Sequence, residues 1–391
     1  MPGLPERHDR LVSVDLLRGL VMVIMALDHT RDFFTNVHFS PTDLSKTSVA
    51  LFLTRWITHF CAPAFVFLAG TGAFLFGSHG KTKSELAVFL TTRGLWLIFL
   101  QITAETFAWN FTTDYTEIDG GVLWAIGWSM IVLAGLVFFP VGLTSAFGIL
   151  MIASHNLLDG VQPQHLGKLG PLWAVLHTGD IVRISPSLTL EPFYPLIPWI
   201  GVMAAGYGFG TVLLLERDAQ RKVLFRLGGL LTVLFILLRA VNIYGDPKPW
   251  SPQASYILSL LSFLNCEKYP PSLLYLLMTL GPAIAVLPWF DRKPGRLGGF
   301  FITFGRVPLF YYLLHLLLVY QLAVTLAWVT GGSVSAFLGD PFTPGYPDSY
   351  GYDLSIVYLL WVLVVLSLYP ICRGFASLKA HRRHWLWLRY F

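Results

Sequence analysis

"VSVDLLRGLVMVIMALDHTRDFFTNVH", residues 12–38, is apolar enough over most of its length to enter a bilayer. Yet Asp15, Arg18, Asp28, His29, Arg31 and Asp32 lie inside or at the rim of that apolar run, and His38 follows just beyond it. Isolated charges in hydrocarbon are costly, so such groups face the interior of a bundle or a wet cavity and have partners. The stretch reads as a membrane helix built around a polar site, and the rest of the chain must supply the bundle.

The composition fits that demand. Of 391 residues, 55% are hydrophobic and only 13% charged, where a soluble domain carries about a quarter charged residues. The mean hydropathy is +0.62. Apolar runs of about 18 residues or more recur along the chain, the signature of a multi-spanning membrane protein. The expected fold is all-α, a polytopic bundle of about ten transmembrane helices, forming one domain over residues 1–391 with a short basic tail at 373–391. The spans lie near 11–34, 50–77, 84–108, 121–139, 141–158, 193–215, 222–244, 270–290, 304–330 and 353–372, while 254–265 is too short to cross. The first run carries internal charges and lacks a small-residue cleavage site, so it does not read as a removable signal peptide. Cys61, Cys266 and Cys372 are far apart and imply neither a disulfide nor a metal framework.

Charge sets the expected orientation. Basic residues gather before span one (Arg7, Arg10), between spans two and three (Lys81, Lys83) and between six and seven (Arg217, Arg221, Lys222). They recur between eight and nine (Arg292, Lys293, Arg296) and after the last span (Arg373, Lys379, Arg382, Arg383). The loops at 109–120 and 331–352 contain no Lys or Arg. An even number of spans with this bias puts both termini in the cytoplasm. The net charge of +5 is then a matter of topology, and nucleic acid is not an expected partner.

In span one, Arg18, Met25, His29 and Asp32 share a helical stripe, with His29 about 16 Å beyond Arg18 at 1.5 Å per residue. Asp28 and Arg31 are spaced to pair. Arg55 and His59 of span two, Glu105 of span three and Arg239 of span seven fall at the same outer level, with His38 in the loop above. Each member has a plain structural reading: Asp15–Arg18 as a rim pair, Arg55 as a neutraliser of Asp28 or Asp32. Two or three converging histidines add a chemical one, because imidazole can take and return a proton near neutral pH. "FVFLAGTGAFLFG" (65–77) and "YPLIPWIGVMAAGYGFG" (194–210) carry small-residue faces suited to close helix or ligand approach. "KYPPSLLYLL" (268–277) places a Pro pair at a helix edge. "GRVPLFYYLLHLLL" (305–318) carries His315 to mid-membrane depth, as a buried neutral histidine or as part of a substrate tunnel. Walker, GxSxG, HExxH and CxxC motifs and metal-ligand spacing are absent from the sequence, so no metal is expected. A transporter, a proton-coupled device or an enzyme acting within the membrane remains.

"SVDLLRGLVMVIMALDH" (13–29), an aromatic loop with a histidine, and "CAPAFVFLAGTGAFLFG" (61–77) resemble the catalytic domain of heparan-α-glucosaminide N-acetyltransferase and its bacterial relatives. The "VDLLRGL" opening also resembles the broader membrane acyltransferase superfamily, and "YPPSLLY" and "GRVPLFYYLLH" resemble the bacterial relatives. The resemblance implies transfer of an acetyl group from cytosolic acetyl-CoA to an amino sugar across the membrane. It implies His38 as the key loop histidine, and Asp28 or His29 where the lysosomal enzyme has an asparagine. Arg55 and His59 are then candidates to stabilise negative charge, with Asp32, Glu105 and His315 around the substrate. Arg93, Arg226 and Arg306 are candidates for the CoA phosphates, with positive-inside anchoring as their plainer role. The stretch "DHTRDFFTNVHF" (28–39) departs from the lysosomal pattern, and an envelope glycan or another periplasmic amine or hydroxyl is the expected acceptor. The expected setting is a bacterial inner membrane. Partners are the lipid bilayer and a small-molecule or glycan acceptor, with a homodimer admitted. The competing expectations are a proton-coupled transporter or flippase using the outer polar cluster, and a non-catalytic partner in envelope assembly.

Overall fold

A computed structural model describes residues 9–111, 113, 115–290, 294–330, 350–382 and 384–391, and the chain is predominantly helical. Helix α1 (Asp9–Phe34) is followed by α2 (Val49–Thr58) and α3 (Cys61–Ser78), which together make one bent span. Ser48 caps α2 through its side chain, and a Thr82–Glu85 capping box starts α4 (Lys83–Leu100). A π-turn at Gln101–Glu105 joins α4 to α5 (Thr106–Asn110), which stops at Phe111 in the left-handed region (φ 47°). Next come β1 (Glu117–Asp119), α6 (Val122–Leu136) and α7 (Val141–Ser154). Short turns and α8 (Gly170–Trp173) lead to β2 (Val182–Ser185) and β3 (Leu188–Glu191). The chain continues through α9 (Leu196–Phe209), α10 (Arg217–Val241), α11 (Tyr256–Leu264), α12 (Leu273–Phe290), α13 (Arg296–Arg306), α14 (Pro308–Val329) and α15 (Leu354–His381).

Eight of these spans are long and apolar enough to cross a membrane. Helix α1 has 26 residues but too many charges to count with them, and α6 is apolar over only 15. With these two, the described helices match the ten spans read from the sequence. Successive spans alternate in direction, so Lys81, Lys83, Arg217, Arg221, Lys222 and Arg296 collect at one end, the basic end. Lys83 Nζ reaches Phe138 O across it at 2.8 Å. Arg7, Asp114, Arg292, Lys293, Arg383 and residues 331–349 of the expected outer loop lie outside the described residues.

Several boundaries differ from expectation: α10 starts at Arg217, five residues before 222, and α15 continues to His381 through the first part of the expected basic tail. The span expected from 304 begins at Pro308, because Val307 breaks the helix (φ −132°) and α13 becomes a separate segment. Proline lacks the amide hydrogen that a helix interior needs, but suits a first turn. At the far end, β1, β3 and β2 form a small sheet, β1 parallel and β2 antiparallel to β3. Nothing in the hydropathy pattern marked it.

The helices meet through small residues. A Cβ on Gly19 would lie 1.8 Å from Phe301 O, and one on Gly305 1.9 Å from Asp15 O, so α1 and α13 touch backbone to backbone. Gly70 of α3 and Gly206 of α9 do the same for their pair, at 2.0 Å from Met203 O and 2.2 Å from Phe67 O. The small-residue faces at 65–77 and 194–210 are thus one interface. Gly72, on another face of α3, meets nothing within 4 Å.

Candidate active site

The outer half of α1 carries its charges into the bundle as a linked set. Asp28 is buried and pairs with Arg31 (Nη1–Oδ1, 2.8 Å), and its other oxygen accepts from Arg55 Nη1 of α2. Arg31 also holds Asp32 (Nη2–Oδ1, 2.5 Å). The i,i+3 spacing brings Asp28 and Arg31 together within one turn. The Arg55 contact ties α1 to α2, the partnering that buried charge demands. At the basic end, Arg18 Nη1 lies 3.3 Å from Asp15 Oδ1 and donates to Gly305 O at 3.0 Å.

His29, on the same turn as Asp28, meets His315 of α14: His29 Nδ1 and His315 Nε2 are 2.7 Å apart. His315 is fully buried, and its Nδ1 lies 3.0 Å from Tyr311 O. A carbonyl only accepts, so His315 Nδ1 carries hydrogen. Its neutral Nε2 is then an acceptor, and His29 Nδ1–H is the donor. That leaves a lone pair on His29 Nε2, which makes no hydrogen bond among the described residues. Trp109 and Tyr312 stand edge-on to the His29 ring, at centroid distances of 4.9 and 6.2 Å.

Both aromatics are set by Glu105. Its Oε1 accepts from Trp109 Nε1 (2.9 Å) and Tyr312 OH (3.0 Å), and its Oε2 accepts from Gln101 Nε2. Gln101 in turn accepts, through Oε1, the backbone N–H groups of Leu123 and Trp124 at the start of α6. Gln101 and Glu105 bound the π-turn, a feature that often accompanies functional sites because it re-aims side chains within a helix.

Three cavities run through this region. The central one, about 420 Å³, is lined by Asp28, His29, Asp32, Arg55, Glu105 and Tyr312 among others. An outer cavity of about 880 Å³ is lined by Arg31, Asp32, His38, Arg55, His59 and Lys268 among others. Asp32, Arg55, Lys268 and Tyr269 line both. A third, about 330 Å³, faces the basic end with Arg18, Arg93, Gly72 and Ala73 in its walls. It shares Phe65, Val122 and Tyr312 with the central cavity.

The sequence-chosen residues therefore divide. His29, Asp28, Asp32, Arg55, Glu105 and His315 form one connected centre. His38 is exposed on the outer cavity and makes no hydrogen bond among the described residues, so the structure does not bring it onto Asp28 or His29. His59 is buried beside Tyr275, whose hydroxyl donates to His59 O at 2.8 Å. Arg93 lines the third cavity, whereas Arg306 (61% exposed, 3.9 Å from Asp15) and the exposed Arg226 line none of the three. Arg239 leaves the cluster altogether. Its buried guanidinium donates to Phe263, Lys248, Ser262 and Asn265 carbonyls, at 2.9–3.2 Å, and lies 3.7 Å from Asp246. Asp246 also accepts from Ser272 and from the backbone of Lys248 and Glu267; burial nonetheless raises its carboxyl above the ordinary range. This hub shapes the loop that delivers Lys268 and Tyr269.

Residues 10–240 match the family described as heparan-alpha-glucosaminide N-acetyltransferase, catalytic. The chain belongs to this family. No curated protein matches it. Family membership and the membrane-spanning bundle together make this a multi-pass membrane protein of acetyltransferase type.

Several residues of the site escaped the sequence reading. Gln101 and Trp109 flank the expected Glu105 at i−4 and i+4, and Tyr312 precedes His315 by three, so helical spacing could have found them. Lys268, buried over the Tyr269 ring at 4.9 Å, carried no such signal. It comes from a loop whose course only the fold fixes.

Proposed function

We propose that this protein takes acetyl-CoA at its basic, cytoplasmic end and passes the acetyl group to an amine or hydroxyl of an extracytoplasmic acceptor. The acceptor class is an amino sugar or envelope glycan, and the setting is a bacterial inner membrane. The observation that carries the reading is the run of three cavities, each sharing wall residues with the next, from Arg18 and Arg93 at the basic end to His38 at the far end. The positive-inside rule supports the orientation. The apolar third cavity suits a pantetheine arm, with Arg18 and Arg93 near its phosphates.

In the central cavity the lone pair of His29 Nε2 takes the proton of the acceptor N–H or O–H as that atom attacks the thioester carbonyl. A bond from the acceptor to the acetyl carbon forms, the C–S bond breaks, and the thiolate leaves with the proton held by His29. The hydrogen bond to His315 supports this role by fixing the tautomer. Arg55 and Lys268 are the cations available to the developing oxyanion. His38 meets the acceptor in the outer cavity.

Proteoliposomes given labelled acetyl-CoA on one side and glucosamine or an envelope glycan on the other test the proposal. Acetylated acceptor is expected, and His29→Ala should lower the rate about 10²–10⁴-fold. His38→Ala reports separately on the acceptor side. Absence of thioester turnover and of any CoA-induced thermal shift would overturn the reading in favour of a transporter or a non-catalytic envelope partner, since the same cavities could carry a solute.

A further inference from the structure

A second group of histidines lies outside this path. His155 follows the last residue of α7, Asp159 comes one turn later, and His177 returns from the 174–178 turn, eighteen residues further on. Both imidazoles are 1% exposed. His177 Nε2–H donates to His155 O at 2.9 Å. The other three ring nitrogens, both of His155 and Nδ1 of His177, are buried with no hydrogen-bond partner. Unpaired buried polar atoms are costly, and each asks for an explanation.

One atom from each of the three residues lies within 4.8 Å of the others. Asp159 is steered from behind: its Oδ2 accepts from Asn156 Nδ2 at 2.9 Å, while Oδ1 lies 3.8 Å from His177 Nε2. Asn156 Oδ1 accepts from Leu273 N at 2.9 Å, which fixes that support to α12. Trp173 stacks on His177, centroids 4.9 Å apart and planes 4° from parallel. Two imidazoles and one carboxylate, with the His177 ring and Asp159 held by outer hydrogen bonds, are a donor set for a borderline dication.

We propose that His155, Asp159 and His177 bind a divalent transition metal of the zinc class, with a structural role. Zinc bonds of about 2.0–2.1 Å require the three atoms to draw in by roughly an ångström, a change within side-chain rotation. No bond forms between carbon centres and no redox step is involved; the ion closes a loop. That loop, 159–177, leads into β2 and β3 and then to Phe193 and Tyr194, which line the central cavity. Strand β3 pairs with β1, whose Asp119 lines the same cavity. The metal would thus brace the far-end wall of the cavity whatever reaction takes place inside it. The sequence showed no such spacing because the third ligand is brought back by folding.

The test uses the full-length protein without a polyhistidine tag, purified in detergent from zinc-supplemented cells. Stoichiometric zinc by elemental analysis is expected, a lower melting temperature after chelation, and its recovery on adding Zn²⁺. Co²⁺ in place of zinc should give visible ligand-field absorption. His155→Gln and His177→Gln should abolish both metal content and the Zn²⁺-dependent thermal shift, with Asp159→Asn weakening them. If those variants fold poorly, the Co²⁺ spectrum and the chelation shift of the unaltered protein decide the matter. No stoichiometric metal with no response to Zn²⁺ or Co²⁺, or undiminished metal in folded His155→Gln, would overturn the assignment.

Discussion

The hydrogen bond between His29 and His315 makes two residues from distant parts of the sequence into one chemical unit. His315 lines none of the three cavities, so under the proposed mechanism its part would be to hold the His29 ring. His315→Asn is therefore expected to lower kcat about tenfold or more, within the range for general-base effects, with little change in KM for acetyl-CoA; steady-state kinetics check this. Arg55 makes a different demand. Arg55→Ala leaves Asp28 short of a partner in a buried site, a loss on the order of 3–5 kcal/mol, whereas Arg55→Lys retains the charge and should recover part of it. Melting curves that do not distinguish the two variants would show that Arg55 is merely solvated. At this scale the sequence was informative wherever a charge sat in hydrocarbon, because Asp28, Arg31 and Arg55 could only be partners of something nearby. It was silent on Lys268, which lies in the connection 242–272 that carries α11 and is organised by Arg239 and Asp246.

Helix-scale features explain how the site is aimed. The π-turn puts Gln101 on the start of α6 and Glu105 on Trp109 and Tyr312, so one irregular turn couples three spans to the His29 pocket. The α1–α13 contact is equally specific. Because a Cβ at Gly305 would sit 1.9 Å from Asp15 O, backbone must move to accept any side chain. Gly305→Val is expected to reduce folded yield and melting temperature, in the upper range of single substitutions, about 3 kcal/mol or more, as size-exclusion profiles and thermal melts would reveal. Gly72→Ala, where nothing lies within 4 Å, should fold normally. Span count and position were legible because eight helices carry an unmistakable apolar load. The α13–α14 break was not, since hydropathy continues through it, although Pro308 marked the place. The β2–β3 pair was missed for lack of length: strands of four residues leave too short an alternation to read.

Across the whole molecule, the alternation of spans requires every basic loop to share a side. Under the proposed orientation, a single cysteine at position 81 labels only after permeabilisation, and one at position 38 labels from outside; external labelling at 81 would invert the arrangement. The run of cavities then has a consequence of its own. Spaces that adjoin from one face of a membrane to the other threaten to short-circuit the ion gradients that the membrane maintains. Here the junction between the central and outer cavities is bordered by Asp32, Arg55, Lys268 and Tyr269, with Arg31 on its outer side. Asp28 and Asp32 pair with the two arginines, so Lys268 is the cation there without an ion pair among the described residues. A fixed cation where two cavities adjoin repels protons and metal cations while leaving room for neutral or anionic groups. The polar knot of α1 and α2 is thereby an insulator as well as a scaffold. Dye-loaded proteoliposomes under an imposed pH gradient should stay tight with the native protein and leak protons with Arg55→Gln/Lys268→Gln; equal tightness in both would remove the insulating role and leave the seal to the aromatic walls.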